Sequence, residues 1–329
     1  MARLEALLGG IARNRFLVLG RAGMDMFADP PGMASERAER FTSDLGGSSA
    51  NICAGLSRLG AHAALATSVS DDAVGRFCIN RLRHYGVDTR HVRSVGGECR
   101  TSLAVYESRI EDFQNVIYRN DAADFQVSVA DMEAIDYAAY GALVATGTVF
   151  AAEPSRSATF HAFARARAAG LPVILDIDYR PYSWPSAQVA EDVLSRAGDV
   201  SAMIVGNDEE FGFMAGAMDR GLDRARALAA EGRLVVYKMG GKGAITLAGD
   251  TEVRTGVYPV SAVKPVGAGD AFMAGLLSGI ARGLDLREAV MRGSASAAIV
   301  VSRPGCAPAM PDEAGLAAFL ADHPGPTDP

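Results

Sequence analysis

From residue 141 onward the chain repeats one pattern, a short apolar run with no polar alternation followed by a stretch of helical periodicity. The apolar runs are GALVATG (141–147), LPVILDID (171–178), SAMIVGN (201–207) and GRLVVYKMG (232–240). Helices are expected between them, one ending at Ala169, one near 186–197 and others through residue 230. A strand without a polar face is buried on both sides, and a helix after each strand supplies the cover. The fold class is therefore α/β, a mostly parallel central sheet with helices on both faces. GAITLAG (243–249), a short strand around VYPVSAV (257–263) and two helices on either side of SRPGC (302–306) close the series.

The first third of the chain is less regular. MARLEALLGGIARNRF has no apolar run long enough for a signal-peptide core, and it suggests a short helix leading into the strand RFLVLG (15–20), with MDMF continuing after the AG step. GGSSANICAGLSRLG (46–60) suggests a helix capped by Ser48 or Ser49, AALATSVS a strand, and DDAVGRFCINRLRHYGV a helix ended by Gly86. Residues 100–119, two β-rich runs around a polar turn, signal a hairpin. With the turn-rich excursion at 28–44, that hairpin is expected to form a small β lid from about 26–45 and 98–122. In open α/β sheets ligands bind beyond the carboxyl ends of the strands, so the lid should lie there. Residues 1–329 then form one domain, and the Pro-rich end HPGPTDP is expected to fray.

With 49% hydrophobic and 22% charged residues, 329 residues suffice for such a domain. The net charge of −7 argues against a nucleic-acid partner, which needs clustered Lys and Arg. No stretch reaches the roughly 18 apolar residues of a membrane span. Cys53, Cys78, Cys99 and Cys306 show no metal-ligand spacing and suggest free thiols in a reducing cytoplasm.

KPVGAGDAFMAG (264–275) places the amides of Gly267, Ala268 and Gly269 at a helix start, where unpaired N–H groups and the macrodipole favour an anion. Asp270 has two readings there, a helix-capping carboxylate or a base that takes a proton from a hydroxyl attacking a phosphoryl group. Asn207 is open to a second reading as a cap, and Lys238 as a solvated strand-end lysine.

GGSSANICAGLSRLG and PVGAGDAFMAGLL, with Asn207 and Glu210 of GNDEEF and Lys238, Gly240 and Gly243 of KMGGKG between them, resemble in order the signature regions of the ribokinase-type (PfkB) carbohydrate kinases. The resemblance covers nearly the whole chain. It implies an ATP-dependent sugar kinase, ribokinase-like in fold, with Asp270 as base and Gly267, Ala268 and Gly269 as anion hole. It implies that Asn207 and Glu210 position Mg²⁺ and the phosphates, Glu210 through water, and that Asp25, Gly46, Gly47 and Asn51 hold the sugar. GRAGMD (20–25), YRNDAADF (118–125), DIDYRPYSW (176–184) and SRPGCAPAMP (302–311) further resemble the branch whose substrate is a keto-acid sugar of inositol catabolism. A substrate carboxylate calls for guanidinium groups. Arg180 is the first choice, Arg119 the second and Arg21 the third, each with an alternative as a loop-anchoring or surface ion pair. Asp178 either orients Arg180 or caps the loop, and Trp184 is expected to pack under its turn.

The family usually carries Asp-Thr where this chain has Lys264 and Pro265, positions that help build a monovalent-cation site in several members. Such a site is doubtful here. Lys264 is expected to replace a bound K⁺, to touch a phosphate, or to point to solvent. A related keto-acid, 2-dehydro-3-deoxygluconate, is the alternative substrate, and a catalytically silent sugar sensor the alternative class. A dinucleotide-binding oxidoreductase fails because VLGRAG lacks GxGxxG spacing. A homodimer through exposed lid edges is also expected.

Overall fold

A computed structural model of the chain describes residues 2–323 and 325. The helix Ala2–Ala12 leads into β1 (Arg15–Leu19), followed by β2 (Gly23–Asp29), β3 (Arg40–Gly46), β4 (His62–Ser70), β5 (Val92–Val95), β6 (Leu103–Tyr106) and β7 (Asn115–Tyr118). The later strands are β8 (Ala142–Thr146), β9 (Val173–Asp176), β10 (Met203–Asn207), β11 (Leu234–Lys238), β12 (Ala244–Ala248) and β13 (Thr251–Thr255). The main sheet runs β13-β12-β11-β10-β9-β8-β1-β4-β5. Its strands are parallel from β11 to β5, and β12 and β13 add antiparallel at one edge.

Because side chains alternate across a strand, an all-apolar strand feeds two cores at once. Phe16 and Val18 of β1 pack with the helices Ser48–Arg58, Ala268–Ala281 and Leu286–Val301. Leu17 and Leu19 pack on the other face with Ser155–Ala168, Ala187–Val200 and Gly221–Ala230. Every residue from Ala271 to Ile280 is buried, so the helix carrying the GAGD turn is enclosed on all sides and its start is held rigidly.

The small sheet runs β3-β2-β6-β7. Two antiparallel hairpins, β2 with β3 and β6 with β7, join through parallel pairing of β2 with β6. Phe27 and Tyr106 stack with ring centroids 5.4 Å apart and pack with Ala104, Cys306 and Val266, bringing this sheet against the loop before GAGD.

Several sequence expectations shift. MDMF does not continue β1: the chain turns after Gly20 and crosses into the small sheet as β2. The last strand lies at 251–255 rather than 257–263, where Pro259 lacks an amide hydrogen and the chain makes no ladder. The helix at 48–58 is capped by Gly47, since the Ser49 hydroxyl is spent donating to the Leu19 carbonyl at 3.0 Å. The tail HPGPTDP falls largely outside the described residues. All four cysteines are free, three of them buried, and Trp184 is buried with the Arg156 guanidinium 5.9 Å from its ring. No described helix is long and apolar enough to cross a membrane.

Candidate active site

The parallel strands end at one rim, and the sheet order reverses between β8 and β1, the position where an open α/β sheet leaves a crevice. A polar cavity of about 270 Å³ lies there. Arg21 reaches it from the end of β1, Asp25 from β2, Gly47 and Asn51 from the start of the helix Ser48–Arg58, and Arg119 from the end of β7. Asp176 ends β9 and Asp178 and Arg180 follow it, Asn207 ends β10 with Glu210 in the helix after it, and Lys238 ends β11. The turn 265–270 closes the wall.

Gly267 is the N-cap of the helix Ala268–Ala281 and has φ +84°, a left-handed conformation that glycine adopts without a Cβ clash. The first helical bond runs from the Ala271 amide to the Gly267 carbonyl at 3.0 Å. The amides just before Ala271 therefore have no helical acceptor and face the cavity as donors. Asp270 does not cap the helix, which corrects one of its two readings. Its Oδ2 accepts from Asn51 Nδ2 at 2.8 Å, across 219 residues of sequence. Burial, then the Asp178 charge, pushes its carboxyl up to about 6, while the Asn51 donation, Arg180 and Lys238 oppose the rise.

Asp25 is 1% exposed, and burial raises its carboxyl to about 7 against the pull of Arg21. Gly46 does not line the cavity. A Cβ on Gly46 would fall 1.8 Å from Asp25 Oδ1, so this glycine makes room for the Asp25 carboxylate. Arg21 donates to Ser102 Oγ at 2.9 Å.

Arg119 is buried and donates through Nε and Nη2 to Asp124 Oδ2 at 3.1 and 2.5 Å, with a further bond to the Thr148 carbonyl. Arg180 pairs with Asp178 at 2.8 Å, but its side chain keeps 44% of its surface exposed. Its Nη1 also donates to the Tyr179 carbonyl at 2.9 Å, and of the two arginines Arg180 has the more exposed side chain. Asp178, at φ +37° in the loop after β9, is the carboxylate with which Arg180 pairs.

Asn207 and Glu210 form a reciprocal capping box. Asn207 Oδ1 accepts from the Glu210 amide at 2.8 Å, Glu210 Oε2 accepts from the Asn207 amide at 2.8 Å, and Oε1 accepts from the Tyr179 amide at 3.1 Å. The cap reading of Asn207 is thus realised, while both residues still face the cavity. Among the described residues no cluster of three or more His, Cys, Asp or Glu forms a metal cage. Hard carboxylate oxygens lining this polar cavity nevertheless fit Mg²⁺, which keeps several waters and takes one or two protein carboxylates.

A second, largely apolar cavity of about 530 Å³ adjoins the first and shares Asn207, Lys238, Pro265, Ala268 and Gly269 with it. Gly240, Gly243 and Lys264 line this one, with Tyr258, Val260 and Phe272. Lys238 Nζ stands 5.8 Å from the Phe272 ring, at the junction rather than in bulk solvent. Lys264 is fully buried, which removes the solvent-pointing reading.

Asp176 was not among the expected site residues. It is 4% exposed, and burial pushes its carboxyl up. The signal in the sequence is a carboxylate ending the apolar run VILD, a position that a parallel sheet aims at the ligand rim.

The chain matches the family described as pfkB family carbohydrate kinase over residues 13–313. A 5-dehydro-2-deoxygluconokinase of Photobacterium profundum is 34% identical over 92% of this chain and 94% of its own length. The crystal structure of a PfkB protein from Polaromonas sp. superposes with a TM-score of 0.80 at 28% identity, covering 92% of this chain and 99% of that one. A double mutant of the Vibrio cholerae fructokinase, bound to fructose, ADP and a potassium ion, superposes with a TM-score of 0.82 at 26% identity, covering 93% and 98%.

Proposed function

This chain belongs to the pfkB family of carbohydrate kinases, and from that premise we propose that it transfers the γ-phosphoryl group of ATP to the primary hydroxyl of 5-dehydro-2-deoxy-D-gluconate. The similarity to a relative of that name, extending over 92% of the chain, carries the substrate choice. The partly exposed Arg180 side chain, in the same cavity as Asp270, brings a guanidinium of the kind a carboxylate-bearing sugar needs.

In this reading Asp25 and Asn51 bind sugar hydroxyls and Arg180 receives the carboxylate. Arg119 and Arg21 support that side of the cavity. Asp270 accepts the proton of the 6-hydroxyl as its oxygen forms a bond to phosphorus and the bond from phosphorus to the ADP oxygen breaks. The amides of Gly267, Ala268 and Gly269 hold the anionic oxygens. The apolar cavity beside Gly240 and Gly243 takes the adenosine, leaving Lys238 at the phosphates. Glu210 would hold Mg²⁺ through water, with Asn207 fixing its orientation, and the metal when bound neutralises phosphate charge.

The raised Asp270 carboxyl gives a pH signature. Only its ionised form accepts a proton, so kcat/KM should climb with pH, pass half its plateau near pH 6 and level off above that. The Asn51 hydrogen bond favours the ionised form, so Asn51→Ala should move that limb to higher pH. The limb belongs to the interacting carboxylates together, Asp25 included, and its displacement is the quantity to compare. A limb that stays in place in Asn51→Ala would contradict the assignment of the base.

The substrate is tested by coupling ADP release to a panel of 5-dehydro-2-deoxygluconate, 2-dehydro-3-deoxygluconate, fructose and ribose. The expected order places the first compound highest in kcat/KM. A neutral sugar in first place would sink the acid-sugar reading, and 2-dehydro-3-deoxygluconate in first place would move it to the neighbouring keto-acid.

A further inference from the structure

Lys264 is the largest charged side chain sealed inside the protein, with 0% of its surface exposed. No carboxylate lies within ion-pair distance among the described residues. Its ammonium instead donates to two backbone carbonyls, Val266 at 2.7 Å and Val300 at 3.0 Å. Burying a charge without a counter-charge is costly, and its retention calls for a purpose.

The two acceptors define one. The Val266 carbonyl belongs to the peptide immediately before Gly267, the cap of the anion-binding turn. The Val300 carbonyl lies in the last turn of the helix Leu286–Val301, whose dipole presents negative partial charge there. The backbone just before Lys264 is pinned too, because the Val263 amide donates to the Val301 carbonyl at 2.8 Å. An ammonium ion held by carbonyl oxygens has the coordination chemistry of a bound potassium ion. A potassium ion is present in the fructokinase structure that shares this fold.

We propose that Lys264 is a tethered monovalent cation: its ammonium locks the turn 266–269 to the end of the helix Leu286–Val301 and makes activity independent of added K⁺. Lys264 is a positioning residue, since it acts on the anion hole through the Val266 carbonyl. The inference rests on the kinase reading for its kinetic effect alone; the structural lock stands without a substrate.

Kinetics and thermal melting, each in K⁺, NH₄⁺ and tetramethylammonium chloride at equal ionic strength, test it. The wild type should show equal kcat and equal Tm in all three. Lys264→Ala leaves a hole lined by two carbonyl oxygens. Losing two charge-assisted bonds at this turn should lower kcat about 10- to 100-fold, with the sugar KM within about 3-fold. K⁺ or NH₄⁺ should restore much of that kcat and raise the variant's Tm, and the bulky tetramethylammonium should do neither. Lys264→Met, which fills the hole, should lose kcat without rescue and serves if the alanine variant fails to fold. Strong activation of the wild type by K⁺ would overturn the proposal, as would an undiminished kcat in either folded variant or a loss in Lys264→Ala that no cation relieves. The melting arm needs no substrate. A wrong sugar assignment would leave its result intact, whereas a Tm of Lys264→Ala that ignores the cation would count against the tether itself.

Discussion

Asp270→Asn should retain folding and nucleotide binding while kcat falls about 10²- to 10⁴-fold, the range for loss of a general base. The substitution keeps the size of the side chain and its place beside Asn51, whose amide now bonds to Asp270 Oδ2 at 2.8 Å. It removes only the ability to take up a proton. The acidic limb near pH 6 should vanish with it, because the group that titrates there is gone. Steady-state kinetics with an ADP assay, and ADP affinity by calorimetry, separate the two effects. Near-normal turnover in Asp270→Asn would leave the proton with another acceptor in the same cavity, where Asp25, Asp176, Asp178 and Glu210 are the other buried carboxylates.

Gly267→Ala should be the next most damaging change, acting through backbone alone. At φ +84° an alanine pays about 1–2 kcal/mol for the left-handed conformation. Its Cβ would also stand 3.0 Å from Cys306 Sγ and 3.1 Å from Val300 Cγ1, so the turn has little room to shift. The amides that face the cavity would be re-aimed. Loss of one oxyanion donor costs roughly 10²- to 10³-fold in kcat, and that is the expected effect, with a lowered Tm and little change in sugar KM. A folded Gly267→Ala with wild-type kcat would remove the anion-hole role of this turn.

Much of this site was legible because its residues stand at chain positions the fold treats alike. Asn207 and Lys238 end apolar runs, and a parallel sheet delivers such ends to one rim. The small sheet was legible from its turn-rich and β-rich segments, although β2 begins at Gly23 and the GMD step belongs to that sheet. Other features depend on contacts between distant segments and leave no local trace. Gly267 caps the helix Ala268–Ala281, and Asp270, inside its first turn, bonds instead to Asn51, far away in sequence. Ser49 looks like a cap but bonds to Leu19. The burial of Lys264 follows from where the helix Leu286–Val301 ends, and local composition at KPVGAGD does not encode that. VYPVSAV has strand-forming residues, yet the edge of the sheet is already taken by β13.

The three arginines show the same division. Sequence placed Arg21, Arg119 and Arg180 at the ligand end, and all three line the cavity. Their partners and burial are set by the fold: Asp124 and the Thr148 carbonyl engage a buried Arg119 side chain, whereas Arg180 bonds to Asp178 and to the Tyr179 carbonyl while 44% of its side-chain surface stays exposed.

The most direct measurement is a competition in one tube: equal concentrations of 5-dehydro-2-deoxygluconate and fructose, limiting ATP and Mg²⁺, with the products resolved by phosphorus NMR. The expected result is phosphate on the 6-oxygen of the keto-acid before any sugar phosphate from fructose is detected. Fructose phosphate forming first would contradict the acid-sugar assignment.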